Sequence, residues 1–208
     1  MRFESRSDAG RQLAKKLENH KDKDVIILAL PRGGVVLGYE IAKRLNAPLD
    51  LIITRKIGHP TSPEYAICAV AEDGHMLCNE TERKAVDEVW FREESKREQE
   101  EAQRRRKLYR KGKKENIKGR TVIIVDDGIA TGLTLRLAIE EAKHDNPAKI
   151  IVAVPVAPRD AANEIEKSVD ELVALEVPTV YLGAVGAYYD SFEQISDEEV
   201  IHLLDESS

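Results

Sequence analysis

The chain has 208 residues, 42% hydrophobic and 34% charged, with a net charge of −6. That length suits one α/β domain able to bury a proper core. The acidic balance argues against a general binder of nucleic acid or membrane surfaces, either of which favours a basic face.

The N-terminal stretch is polar, without the apolar core of a signal peptide, and no apolar run reaches the length of a membrane span, so a cytoplasmic protein is expected. Ser7, followed by Asp8 through Leu17, reads as a capped amphipathic helix with Leu13 and Leu17 one turn apart. Val25–Leu30 is a continuous apolar run, the mark of a strand covered on both faces. Pro31-Arg32-Gly33-Gly34 breaks it, and Val35–Leu45 continues as a helix. Leu49–Thr54, Thr121–Asp126 and Lys149–Val154 read as further strands, each leading toward helix or loop. Such alternation predicts a mostly parallel sheet whose strand-end loops gather on one edge.

Two regions break the pattern. Lys56–Glu64 carries Gly58, Pro60 and Pro63 and reads as a loop, with Tyr65–Val70 and His75–Cys78 as short paired strands around Asp73-Gly74. Asn79 and Glu82 then make a capping-box-like start for a helix running to about 111. Its first part offers an apolar face of Ala85, Val86, Val89 and Trp90. Its later part is almost wholly charged, with Glu100/Arg104 and Glu101/Arg105 at i,i+4 spacing, and predicts a solvated extension; a partner-helix contact is the sharper reading. The acidic residues interleaved before Arg104–Lys107 argue against RNA. Cys68 and Cys78 have no ligand spacing and read as reduced thiols, with a disulfide as the minor alternative. Histidines 20, 59, 75, 144 and 202 show no metal-ligand spacing; His59 and His75 lie in or beside the long loop.

The most informative run is Val122–Thr134: a β-branched strand, the carboxylates Asp126 and Asp127, then Gly128-Ile129-Ala130-Thr131-Gly132-Leu133-Thr134 opening a helix over Leu133–Lys143. Free N–H groups at a helix start attract a phosphate, Thr131 and Thr134 add hydroxyls, and the carboxylates accept from ribose hydroxyls. No lysine precedes the threonine, so this is not a Walker A loop. An ordinary strand–turn–helix or a receiver-like acidic pocket are the plainer readings.

These thirteen residues resemble the signature of the type I phosphoribosyltransferases, and the chain is similar to a poorly characterised branch of them. The resemblance implies an α/β fold with a mostly parallel sheet flanked by helices, forming one domain over 1–208. It further implies a flexible lid at about 56–78, the long charged helix at about 80–111, and a hood at about 178–208 to which the N-terminal segment contributes. By the same likeness Ala130, Thr131, Gly132, Leu133 and Thr134 would grip the 5′-phosphate, while Asp126 and Asp127 would bind the ribose hydroxyls and serve catalysis. Arg32, Gly33 and Gly34, with a cis bond at Pro31–Arg32, would hold the pyrophosphate together with Arg55 and Lys56. Taken alone, the first loop also reads as a Gly-rich turn capping a helix, and Arg55 and Lys56 as surface charge. In the hood, Tyr188 or Tyr189 would stack on a nucleobase with Asp190 nearby, or the tyrosines pack a C-terminal lobe.

The implied reaction moves a phosphoribosyl group from phosphoribosyl pyrophosphate to a nitrogen acceptor, a nucleobase, and releases pyrophosphate. Mg²⁺ would ride on the diphosphate through substrate oxygens and water, with Asp126 and Asp127 as the available protein ligands. Ala130 stands where hypoxanthine-guanine members carry an aspartate, and Leu133 where many relatives have a second glycine. Partners are small molecules, with a homodimer allowed. The second expectation is a non-catalytic sensor of phosphoribosyl pyrophosphate or a nucleotide, using the charged helix to contact a partner.

Overall fold

In the computed structural model, which describes residues 2–109 and 114–207, the apolar runs become the strands of a parallel sheet. The chain runs α1 (Arg6–Lys16), β1 (Val25–Ala29), α2 (Gly33–Leu45), β2 (Leu49–Leu51), β3 (Thr54–His59), β4 (Ser62–Ala71) and β5 (Met76–Cys78). It continues as α3 (Glu80–Ala85), α4 (Glu88–Tyr109), β6 (Thr121–Val125), α5 (Leu133–His144), β7 (Lys149–Val156), α6 (Arg159–Glu166), β8 (Glu171–Glu176) and α7 (Asp197–Glu206). The five-stranded sheet has the order β2-β1-β6-β7-β8, parallel throughout. Its centre is β6, paired from Thr121↔Val25 to Val125↔Ala29 on one side and Thr121↔Lys149 to Val125↔Ala153 on the other. A strand covered on both faces needs apolar residues at consecutive positions. Val122, Ile123, Ile124 and Val125 supply them, all at zero exposure. Ile123 and Val125 join the layer made with α1 and α2, and Val122 and Ile124 the layer made with α5 and α6.

The β6 axis also sets where the loops emerge. Leu30 N–H donates to Val125 O at 2.9 Å and Ile129 N–H to Val156 O at 2.9 Å. The loops that follow β1 and β6 therefore leave the sheet side by side at its carboxyl edge. No helix among the described residues is long and apolar enough to cross a membrane.

Several sequence expectations are corrected. The first helix is capped by Ser5, whose hydroxyl accepts from Asp8 N–H at 3.2 Å, so it begins at Arg6 rather than after Ser7. Lys56–Glu64 is not a loop: it holds most of β3 and the start of β4, which pair antiparallel and turn at Pro60-Thr61. With β5 they form a second, three-stranded sheet. The paired strands expected around Asp73-Gly74 are present in it, as the ends of β4 and β5. Cys68 and Cys78 stand directly opposite each other on those strands and are joined as a disulfide. Reduced thiols are thus replaced by a cross-strand bond, and cysteine usage no longer points to a reducing compartment.

The long helix is also broken. Asn79 caps α3 by accepting from Thr81 and Glu82 N–H, but Val86 is extended and Asp87 re-caps, its carboxylate accepting from Trp90 N–H at 2.8 Å. The expected residues 110–111 lie outside the described residues. Re-capping rotates the apolar face: Val89 is 65% exposed, while Phe91 packs with Ile57, Ile67 and Val70. Nor is the charged part a solvated extension. Ala102 and Tyr109 sink into a cluster with Leu51, Ile53 and Val200, and Glu98 and Arg105 are buried beside them. The charges are tolerated because they are paired: Arg55 Nη2 with Glu98 at 2.7 Å and Arg105 Nε with Glu101 at 2.7 Å.

Replacing Ala102 by Glu is expected to lower unfolding stability by about 3 kcal/mol, since it buries an unpaired charge in a packed cluster. Urea unfolding measures it; an unchanged midpoint would mean that α4 does not pack on the body.

Candidate functional site

The segment from Asp126 to Leu135 borders a cavity of about 440 Å³ at the carboxyl edge of the parallel sheet. Gly132, with φ of +79°, ends the loop as the N-cap of α5. A side chain there would strain the left-handed backbone. No side chain among the described residues caps α5, so the N–H groups of its first turn remain without a capping acceptor, at the positive end of the helix. Ala130, Thr131, Gly132 and Thr134 line the cavity beside Asp126 and Asp127. Leu133 does not: its side chain is buried against Ala66, Ala69 and Ala71 of β4 and pins the second sheet to α5. Thr134 is fixed from the same direction, its carbonyl accepting from the Thr54 hydroxyl at 3.0 Å.

The loop after β1 lies against the two carboxylates. A Cβ on Gly33 would collide with the Asp127 carboxylate, and one on Gly34 would lie 2.7 Å from Val125 O. Only glycine lets the start of α2 approach the end of β6 this closely. The Pro31–Arg32 peptide is cis, as the resemblance implied. Two helices brace it: Arg105 of α4 donates to Pro31 O at 3.4 Å, and Arg32 lies 3.7 Å from Asp197 of α7. The Arg32 side chain thus reaches toward Asp197 and is not part of the cavity wall.

Arg55 and Lys56 diverge. Lys56 lines the cavity and pairs with Glu64 at 2.6 Å, whereas Arg55 does not line it: Arg55 turns to Glu98 of α4 and borders an adjoining groove that Lys56 and Glu64 also line. In the hood, Tyr188 and Tyr189 are each 2% exposed and face the core, not the cavity. Tyr189 donates its hydroxyl to Asp127 O at 2.6 Å, and Tyr188 accepts from Leu182 N–H at 2.9 Å. Asp190 is held on the surface by Arg2 at 2.7 Å. In this arrangement neither tyrosine ring is open to a ligand. The aromatic ring on the cavity wall is Phe192, with the backbone-rich stretch Gly183–Gly186 beside it.

Like Phe192, a further wall residue had been given no site role. Arg6, at the first position of α1, sends Nε to Asp127 Oδ2 at 2.7 Å and Nη1 to Glu193 O at 2.7 Å, its guanidinium 3.7 Å above the Phe192 ring. No signal in the sequence marked it: the helix was expected to begin after Ser7, and Arg6 finds its carboxylate 121 residues away.

Burial pushes the Asp126 carboxyl well above its usual range, and the adjacent Asp127 charge pushes further. Burial acts on Asp127 as well, opposed by the Arg6 guanidinium. Both carboxyls are thus raised, Asp126 further than Asp127 because only Asp127 has the Arg6 guanidinium in direct contact.

A parallel sheet with an uncapped helix start and paired carboxylates around one cavity at its carboxyl edge defines the site of an α/β protein. Residues 4–191 match the phosphoribosyl transferase domain, and the chain belongs to that family. It is 40% identical over 211 residues to a Mycobacterium tuberculosis protein that carries the provisional name phosphoribosyl transferase, an alignment covering 98% of this chain and 46% of that one. The chain thus spans about half the length of that relative. A Thermus thermophilus protein of known crystal structure is 38% identical, with a TM-score of 0.80 and full coverage of both chains. A shorter match, 46% identical over 59 residues, is to the uracil phosphoribosyltransferase of Mycoplasma genitalium and covers 28% of this chain and 29% of that one.

The raised pKa of Asp126 makes stability depend on pH. An acid that holds its proton more tightly when folded costs stability as pH rises from its ordinary 3.8 through the raised value. Asp126→Asn keeps the acceptor that Asp126 Oδ1 offers to Asp127 N–H at 2.8 Å and removes the charge. The variant is expected to be about 1 kcal/mol more stable than the parent near pH 7.5 and equal to it near pH 4. Urea unfolding at the two pH values checks both halves.

Proposed function

We propose that the chain transfers the phosphoribosyl group of phosphoribosyl pyrophosphate to a nitrogen of a nucleobase-like acceptor, releasing pyrophosphate. The observation that carries this reading is the uncapped start of α5 standing beside Asp126 and Asp127 in one cavity. Backbone N–H groups from Ala130 to Thr134 take the 5′-phosphate, and the carboxylates take the 2′- and 3′-hydroxyls. As the bond from C1′ to the diphosphate oxygen breaks, positive charge grows on the ring and the nearby carboxylates stabilise it. The acceptor nitrogen then bonds C1′ and releases its proton to solvent or diphosphate.

Lys56 is the cation on the cavity wall for a diphosphate. Gly33 and Gly34 lie behind the two carboxylates, and Arg32 and Arg55 would have to leave Asp197 and Glu98 to join. The Gly183–Gly186 backbone and Phe192, which lie together on the cavity wall, form the side along which the acceptor would lie. The β3–β4 tip at Pro60-Thr61, exposed and distant from the core, is the part best placed to close over the site and exclude water.

Among the described residues no three His, Cys, Asp or Glu side chains converge as a metal site. Two carboxylates beside a diphosphate nevertheless suit a hard cation that keeps most of its ligands as water and substrate oxygens, as Mg²⁺ does. Bound there, Mg²⁺ would neutralise the leaving diphosphate. The sensor reading used α4 as a contact surface; Ala102 and Tyr109 of that helix are already packed against Leu51, Ile53 and Val200, and its exposed charged face is what such a contact would use.

Incubation with phosphoribosyl pyrophosphate, magnesium and a panel of purine and pyrimidine bases is expected to release pyrophosphate with at least one acceptor. The Asp126→Asn, Asp127→Asn double variant should fold yet lose at least about 100-fold in turnover. Tight binding of phosphoribosyl pyrophosphate with no release on any base would refute the transferase reading.

A further inference from the structure

We propose that Arg6 is a positioning residue that turns Asp127 into an oriented acceptor for the ribose diol and ties that acceptor to the hood. The inference rests on the ribose-phosphate reading of the cavity. Its basis is the geometry of one guanidinium touching three residues in two distant parts of the chain. Nε holds Asp127 Oδ2, Nη1 holds the carbonyl of Glu193, and the plane lies over Phe192. Side-chain exposure is 10% for Arg6 and 18% for Asp127, so the pair is shielded from water on most sides.

A carboxylate with one oxygen fixed cannot spin about its Cβ–Cγ bond. With Oδ2 engaged by Arg6, Oδ1 is the oxygen left to accept a sugar hydroxyl, beside the carboxylate of Asp126. Gly33 limits the pair from below, since a Cβ there would lie 2.9 Å from Arg6 Nε and collide with the Asp127 carboxylate. The arginine is itself fixed. Asp190 N–H donates to Phe3 O at 2.8 Å and Ser191 N–H to Glu4 O at 3.1 Å, so the strand leading into α1 is laced to the hood. A lysine in this place would keep the charge but could not fork between Asp127 and Glu193. Arg6 thus links recognition of the sugar to the segment that flanks the acceptor.

The test compares Arg6→Gln and Arg6→Lys with the parent by calorimetry, using ribose 5-phosphate and, separately, inorganic phosphate, with magnesium present and thermal unfolding as a control. Arg6→Gln is expected to weaken ribose 5-phosphate about tenfold while leaving inorganic phosphate within about twofold, because only the sugar uses Asp127. Arg6→Lys should fall between, and it carries the test if the glutamine variant does not fold. Equal loss of both ligands would make Arg6 merely structural and overturn the proposal. So would ribose 5-phosphate binding as tight as the parent's or tighter, which would mean that Arg6 only occupies the site. A parent protein that binds inorganic phosphate but not ribose 5-phosphate would instead refute the ribose-phosphate reading itself.

Discussion

Four stretches far apart in sequence meet at Asp127. Its carboxylate takes Arg6 from α1, its carbonyl takes the Tyr189 hydroxyl from the hood, its side chain presses on Gly33 after β1, and β6 delivers it to the sheet edge. None of these contacts is local, and each depends on the others. Arg6 is desolvated at some cost that only a close carboxylate offsets. Gly33 must be bare for that carboxylate to lie where Arg6 finds it. The buried carbonyl of Asp127 would be left unpaired without Tyr189. The site is therefore a junction of the fold and cannot be treated as a loop added to a finished scaffold.

The junction separates charge along the cavity. At one end the start of α5 offers N–H groups with no side chain over them; at the other, two carboxylates are packed closer than their mutual repulsion favours, with one arginine between them and the hood. A molecule with a dianionic ester at one end and neutral hydroxyls a few bonds away matches both halves at once. An isolated phosphate matches one half, and a free cation the other. On the proposed function, this pairing of unlike demands is what would select for a sugar phosphate.

The parts of this site that were legible in the sequence are those made by neighbours in the chain. The run from Val122 to Thr134 carries its strand, its acids and its helix start within thirteen residues, so the local pattern already specifies the local shape. Gly33 and Gly34 were legible for the same reason. Arg6 and Phe192 were not, since their roles come from partners more than sixty residues away. The charged helix misled for a related reason. Composition marks Glu98 and Arg105 as solvated, and only the distant Arg55, with Glu101 one turn away, makes them tolerable inside. Cys68 and Cys78, ten residues apart, become partners only once β4 and β5 turn back on each other at Asp73-Gly74.

Arg55 and Lys56 make the same point with a geometric reason. Read as a loop, two adjacent cations can serve one ligand. In β3 successive side chains point to opposite faces, so the two cations reach the cavity unequally. The alternation sends Lys56 to the cavity and Arg55 to Glu98 on α4. The second sheet is then held on both sides, by Leu133 and Leu137 of α5 on one face and Phe91 of α4 on the other. A cover so gripped cannot swing as a whole without uncovering apolar surface, whereas the exposed turn at Pro60-Thr61 has little to uncover. The tip of the hairpin, flanked by Lys56 and Glu64, is therefore the part of the second sheet least gripped by the core.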